Sequence, residues 1–205
     1  MSHLTLLSVP GSIITDEGLQ GITCMKNFII YYYRKMSHLT LLSVPGSIIT
    51  DEGLQGITCM KNLESLDISH CSRIGSPSLD HIGQLTSLKH LNISDCLFNT
   101  VTQNRVYDYV NAPKPELNDL SSLKTLDLVT LNASNCNVGD ASLVVLGGMV
   151  SLEVLNLSLC VGVTDVGVKD LVDRAVKLRS IDLSQCCNIT EGGLLQLRRR
   201  CTVKC

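Results

Sequence analysis

The chain has 205 residues, 44% hydrophobic and 18% charged, long enough to bury a core. Seventeen Lys and Arg against 19 Asp and Glu leave a net charge near −2, so no strong positive field points to nucleic acid or an anionic membrane. The longest bulky run, residues 28 to 33, is far short of the roughly 18 apolar residues of a membrane helix, and no basic region leads into an apolar stretch as in a secretory signal.

In chain order, the first feature is a duplication. Residues 1–27 recur without a change at 36–62. Diverged repeats do not stay identical, so a very recent duplication or a faulty gene model is expected, with Met36 as a possible original start. The joining octapeptide 28–35 has two readings: a strand with Phe28, Tyr31 and Tyr33 inward, or a scar. Residues 1–35 are accordingly expected to be a segment of doubtful order in front of a domain spanning 36–205.

From Leu39 a period emerges. The frame L-x-x-L-x-L-x-x-C is met by Leu63-Leu66-Ile68-Cys71, Leu88-Leu91-Ile93-Cys96, Leu152-Leu155-Leu157-Cys160 and Leu178-Ile181-Leu183-Cys186, and Leu39-Leu42-Val44 enters it without the Cys. Starts at 63 and 88 are 25 apart, those at 152 and 178 are 26 apart. Positions 4 and 6 alternate with polar neighbours, the period of a strand with one buried face. After position 9 the spacing turns helical, as in Leu79, Ile82, Leu85 and in Val168, Leu171, Ala175, behind start signals Thr50-Asp51, Ser76-Pro77 and Thr164-Asp165. Each unit is a strand, a turn and a helix that cannot cover its own apolar face, so the units must stack.

Between Cys96 and Leu123 the period breaks. The segment 97–122 contains Pro113 and Pro115 and reads as an inserted irregular loop. Beyond it, Leu123-Leu126-Leu128 and Leu128-Leu131-Ala133-Cys136 both fit the frame. The second lies 24 residues before Leu152 and is preferred, leaving 123–127 as a leftover.

The texts "LEVLNLSLCVGVTDVGVKDL" (152–171) and "LRSIDLSQCCNITEGGLLQL" (178–197) resemble the cysteine-containing subfamily of leucine-rich repeats, and the resemblance runs from about Leu39 to Leu197. It implies an α/β solenoid, curved, with parallel strands on the concave face and helices on the convex face. Similar arrays occur in F-box ubiquitin ligases and in trypanosomatid parasites, and members are mostly intracellular recognition surfaces. The expectation is therefore a cytoplasmic or nuclear protein–protein interaction module, part of a larger complex and not an enzyme. Alternatives are the substrate-recognition part of a ubiquitin ligase (although no F-box is readable), a regulatory scaffold or inhibitor of a signalling enzyme, and a non-functional fragment, since neither end shows a polar cap.

Candidate chemistry is thin. Cys71, Cys96, Cys136, Cys160 and Cys186 share position 9, where a small inward-turned residue fits better than a metal or redox array, and reduced thiols suit a reducing compartment. Cys201 and Cys205 form half a zinc site at most and read as exposed terminal thiols beside Arg198-Arg199-Arg200, a solvated helix end. Sequons at Asn92, Asn132, Asn156 and Asn188 arise mainly from the repeated strand text. A Ser-His-Asp set of His70, Ser94 and Asp95 has nothing to distinguish it from any polar strand surface. No cofactor, metal, nucleic-acid, membrane or small-molecule site is expected.

A protein partner would meet positions 2, 3, 5, 7 and 8, which point away from the core. Position 5 reads Asp67, Asn92, Asn132, Asn156, Asp182, and position 7 is serine throughout these repeats. The variable columns discriminate better. They give a contact patch of Glu153, Val154, Leu159, Arg179 and Gln185, with His70, Lys89, His90 and Asp95 alongside, in which Val154 and Leu159 are the apolar anchors.

Overall fold

A computed structural model describes residues 5–9, 14–23, 38–96, 120–136 and 138–205. The octapeptide 28–35 and residues 97–119 of the inserted segment lie outside the described residues.

The strands are β1 (Leu6–Ser8), β2 (Leu41–Ser43), β3 (Ser65–Asp67), β4 (His90–Asn92), β5 (Thr130–Asn132), β6 (Val154–Asn156), β7 (Ser180–Asp182) and β8 (Thr202–Lys204). They form one sheet in the order β1 to β8, every neighbouring pair parallel. Parallel neighbours require a crossover. Among the described residues it is supplied, for every pair but β4–β5, by helices α1 (Asp16–Thr23), α2 (Asp51–Gln55), α3 (Ser76–Ile82), α4 (Asp140–Gly147), α5 (Asp165–Arg174) and α6 (Glu191–Arg198). The architecture is an α/β leucine-rich-repeat solenoid.

Register follows the frame. Position 4 runs Leu42, Leu66, Leu91, Leu131, Leu155, Ile181 in adjacent strands, and all six are buried. Position 6 stacks Val44, Ile68, Ile93, Ala133, Leu157 and Leu183 beneath them. From the convex side Leu54, Ile57, Leu79, Ile82, Leu143, Leu146, Val168, Leu171, Leu194 and Leu197 close the same continuous core. Each fully buried Leu or Ile contributes about 1.5–3 kcal/mol by leaving water, and among the described residues the core is built without a large aromatic.

The preferred frame at Leu128 is the one the sheet uses, because Leu131 sits between Leu91 and Leu155. The leftover reading of 123–127 is corrected. Residues Ser121–Leu123 form a 3-10 turn, and Leu120, Leu123 and Leu126 are buried at 0–3% exposure. They replace the Leu79, Ile82 and Leu85 of the preceding repeat, so this stretch is the convex layer of the β4 repeat.

In the first copy of the duplicate, β1 pairs with β2 at an offset of 35 (Leu6 with Leu41), and Leu19 of α1 is in the core. At the other end the sheet runs past Leu197 to β8, with Val203 beside Ile181.

Helix starts carry a second ladder that the frame does not reveal. The Asp16 carboxylate accepts from the Thr50 N–H (2.7 Å) and hydroxyl (2.6 Å), Asp140 from those of Thr164 (2.8 and 2.6 Å), and Asp165 from those of Thr190 (2.9 and 2.6 Å). Asp51 accepts from the Gly75 N–H and the Ser78 hydroxyl. Each first-turn aspartate thus ties its helix to the start of the next. The hydrogen bonds from Thr190, hydroxyl first and N–H second, hold the Asp165 carboxyl below the usual carboxylate range. A depressed folded pKa gives stability present above the unfolded value and lost as pH falls through the folded one. The α5–α6 seam is therefore acid-sensitive.

Candidate partner-binding surface

The three-residue strands are prolonged by main-chain bonds at their exits. The position 8 N–H donates to the position 7 carbonyl of the next repeat: Gly46 to Ser69, His70 to Ser94, Asp95 to Ser134, Asn135 to Ser158, Leu159 to Ser184, all at 2.7–3.0 Å. Position 8 turns left-handed, with φ of 69° at Gly46 and 55–64° at His70, Asp95, Asn135, Leu159 and Gln185. Glycine takes this conformation freely and Asn or Asp tolerates it, whereas for a leucine it costs about 1–2 kcal/mol.

The polar ladders have structural work. At position 5, Asp67, Asn92, Asn132, Asn156 and Asp182 each accept from the N–H of the serine two residues on, at 2.9–3.2 Å. These are Asx turns that shape the strand exit, and they explain the Asn-x-Ser text without reference to glycans. At Asp182 desolvation pushes the carboxyl up, but hydrogen bonds from Lys204 and Ser184 outweigh it and leave the pKa lowered.

The position 9 thiols form a third ladder. Each donates to the position 6 carbonyl of the repeat before it: Cys71 to Val44 (3.5 Å), Cys96 to Ile68 (3.1 Å), Cys136 to Ile93 (2.9 Å), Cys160 to Ala133 (3.4 Å) and Cys186 to Leu157 (3.1 Å). All five are buried. Burial pushes Cys71 and Cys186 up to about 11 and Cys136 to about 12, and raises Cys96 as well. Among the described residues no three His, Cys, Asp or Glu gather as a metal site. Of the two terminal thiols, Cys205 is exposed, but Cys201 is half-buried and donates to the Leu197 carbonyl (3.6 Å), which corrects its expected exposure.

The nine residues of the expected patch fall into three groups. His90 and Val154, at position 3, line a shallow concave depression of about 330 Å³ together with Asp67, Asn92, Thr130 and Asn132. Lys89, Glu153 and Arg179, at position 2, mark the strand entrances, where Arg179 Nε lies 3.4 Å from Glu153 and Lys89 lies 3.7 Å from Asp127. His70, Asp95, Leu159 and Gln185 occupy the left-handed exit turns; His70 Nδ1 is 3.5 Å from Asp95, which also accepts from Asn135 (2.7 Å). His90 Nδ1 is 2.9 Å from the Thr130 hydroxyl. Ser94 is buried, with its N–H on Asn92, while Asp95 sits on the exit turn. Val154 and Leu159 are each 43% exposed. Val161, also exposed, was missed, although it lies only two residues beyond Leu159.

Leu159 is the chemical outlier of its column, an exposed aliphatic in a left-handed turn. Replacing it by glycine should raise stability by about 1 kcal/mol, read as a shift of the urea midpoint at unchanged slope. A destabilised Leu159→Gly would mean that the side chain has a packing role.

A family model described as Leucine Rich repeat matches residues 59–82 and 149–172. Among solved structures, an internalin from Listeria monocytogenes is similar over 85% of this chain at 21% identity, with a TM-score of 0.55. The match covers 43% of that internalin, so this chain spans less than half its length. At this identity the likeness establishes the fold. No helix among the described residues is long and apolar enough to cross a membrane. The 24–26-residue period, the in-register parallel sheet and the two matched repeats together give the chain the leucine-rich-repeat fold.

Proposed function

We propose that this array is a protein-interaction module that receives its partner on the concave side of β3–β7 and performs no chemistry of its own. The observation that carries the reading is Leu159. An exposed leucine in a backbone conformation that disfavours it gives the free chain nothing, and strain held at an exposed position is a mark of function. Val154, exposed at the start of the same repeat's strand, supplies a second aliphatic contact. Glu153, Arg179 and Gln185 flank the pair, and His70, Lys89, His90 and Asp95 extend it across β3 and β4. A few fully desolvated side chains carry most of the energy of an interface, and the contacts around them exclude water.

Affinity purification from the source cell, followed by calorimetry on the recovered partner, tests this. The double variant Val154→Ser, Leu159→Ser should weaken binding by at least about 1 kcal/mol; unchanged affinity places the site elsewhere. The partner's identity decides between finer roles. A cullin adaptor would make this the substrate-recognition part of a ubiquitin ligase, and a signalling enzyme would make it a regulatory scaffold. Fractionation of the same cells would test the proposed cytoplasmic or nuclear location.

A further inference from the structure

Outside the concave sheet a second surface stands out. The β6–β7 register pairs Val154 with Ser180, so four residues earlier Val150 and Val176 occupy the same place on adjacent repeats, in the turns leading from helix to strand. They are 63% and 74% exposed. At the same turn position Lys61 and Thr86 stand before β3 and β4, and the buried Leu126 before β5, so an exposed apolar side chain there belongs to the β6 and β7 repeats alone among these five.

A cationic step adjoins it. Ser180 pairs with Thr202, which puts Lys177 beside Arg199 three residues before each strand. Both are exposed, and among the described residues neither has a carboxylate within ion-pair reach. Arg200 donates to the Val172 carbonyl, and Arg179 projects from the same edge. The charge is regional: residues 174–205 hold seven Lys or Arg and two Asp or Glu, a local +5 in a chain of net −2.

We propose that this ledge, at the entrances of β6–β8, docks a protein segment that places an aliphatic side chain on Val150 and Val176 and carboxylates on Lys177 and Arg199. Charge complementarity selects an acidic segment, and the paired valines select one that is not merely acidic. A nucleic acid fits less well, because among the described residues the ledge offers no ring on which a base can stack. The same lack of aromatic rings disfavours a membrane interface.

The test is a random 12-residue peptide display library selected on the intact 205-residue chain, with the winners resynthesised and titrated. Enriched peptides should carry net negative charge and at least one aliphatic residue. Their affinity should fall at least tenfold for Val150→Ser, Val176→Ser and at least tenfold for Lys177→Glu, Arg199→Glu, with the salt dependence lost only in the second. Leu159→Ser should leave them unaffected, which separates this ledge from the concave site. Unchanged thermal melts of all variants secure the comparison. Neutral or basic winners, no winners, winners indifferent to both double variants, or saturable binding to phosphatidylserine vesicles in place of acidic peptides would each overturn the proposal.

Discussion

Leu123→Ala should destabilise the chain by about 3 kcal/mol, within the range of about 2–5 for deleting a buried leucine side chain. Leu123 is fully buried and closes the 3-10 turn that stands where the other repeats have a helix. Its neighbour Thr125 is exposed, and Thr125→Ala should change stability by no more than about 0.5 kcal/mol. Urea denaturation of the two variants checks both values. If residues 123–127 were a leftover of the inserted segment, the two would behave alike.

This stretch shows where sequence reading stops. Leu120, Leu123 and Leu126 recur every three residues because a 3-10 turn has that period. With Leu128 the last two also spell the strand text L-x-x-L-x-L, so one set of leucines satisfies two frames. Only pairing with Leu91 and Leu155 decides between them. Elsewhere between Leu39 and Leu197 the strands, helices and inward cysteines are legible because their burial is periodic, whereas β1 and β8 lie outside that span. The candidate surface is legible only in part. Val154 and Leu159 stand out as aliphatics in polar columns, but the left-handed turn that makes Leu159 unusual comes from its N–H bond to the next repeat, a contact 25 residues away in sequence. The Asp–Thr ladder was missed for the same reason, since Asp140 and Thr164 meet only after stacking. Its signal was nonetheless present: a glycine two residues after the first helical position, as in Thr50-Asp51-Glu52-Gly53 and Thr164-Asp165-Val166-Gly167.

That glycine yields the second large effect. A Cβ at Gly167 would overlap the Asp140 carboxylate and lie 2.8 Å from Leu143 Cδ1. Gly167→Ala must therefore push Asp140 away from the Thr164 N–H and hydroxyl. Losing hydrogen bonds to a charged group costs about 1.5–3 kcal/mol, so a loss of about 2 kcal/mol is expected. At Gly18, in the same motif of the first copy, a Cβ would make ordinary contacts of 3.5 and 3.7 Å with Ile14 and Thr15. Alanine is the better helix former by about 1 kcal/mol, so Gly18→Ala should be neutral or mildly stabilising. Adding Asp140→Ala to Gly167→Ala should cost little more, because the two changes break the same contact. Equal effects of alanine at Gly18 and Gly167, measured by denaturant midpoint, would remove the ladder from the account.

The thiol ladder changes what a labelling experiment on this chain measures. Each position 9 sulfur is tied to the carbonyl of the repeat before it, and Cys136 also reaches the Ser134 carbonyl of its own repeat (3.4 Å). A reagent therefore reaches it only when two neighbours part. The rate at which Cys71, Cys96, Cys136, Cys160 or Cys186 is alkylated is thus a clock on one named seam, and the five together time the order in which the solenoid unzips. Cys187 and Cys205, exposed from the start, mark time zero on the same scale.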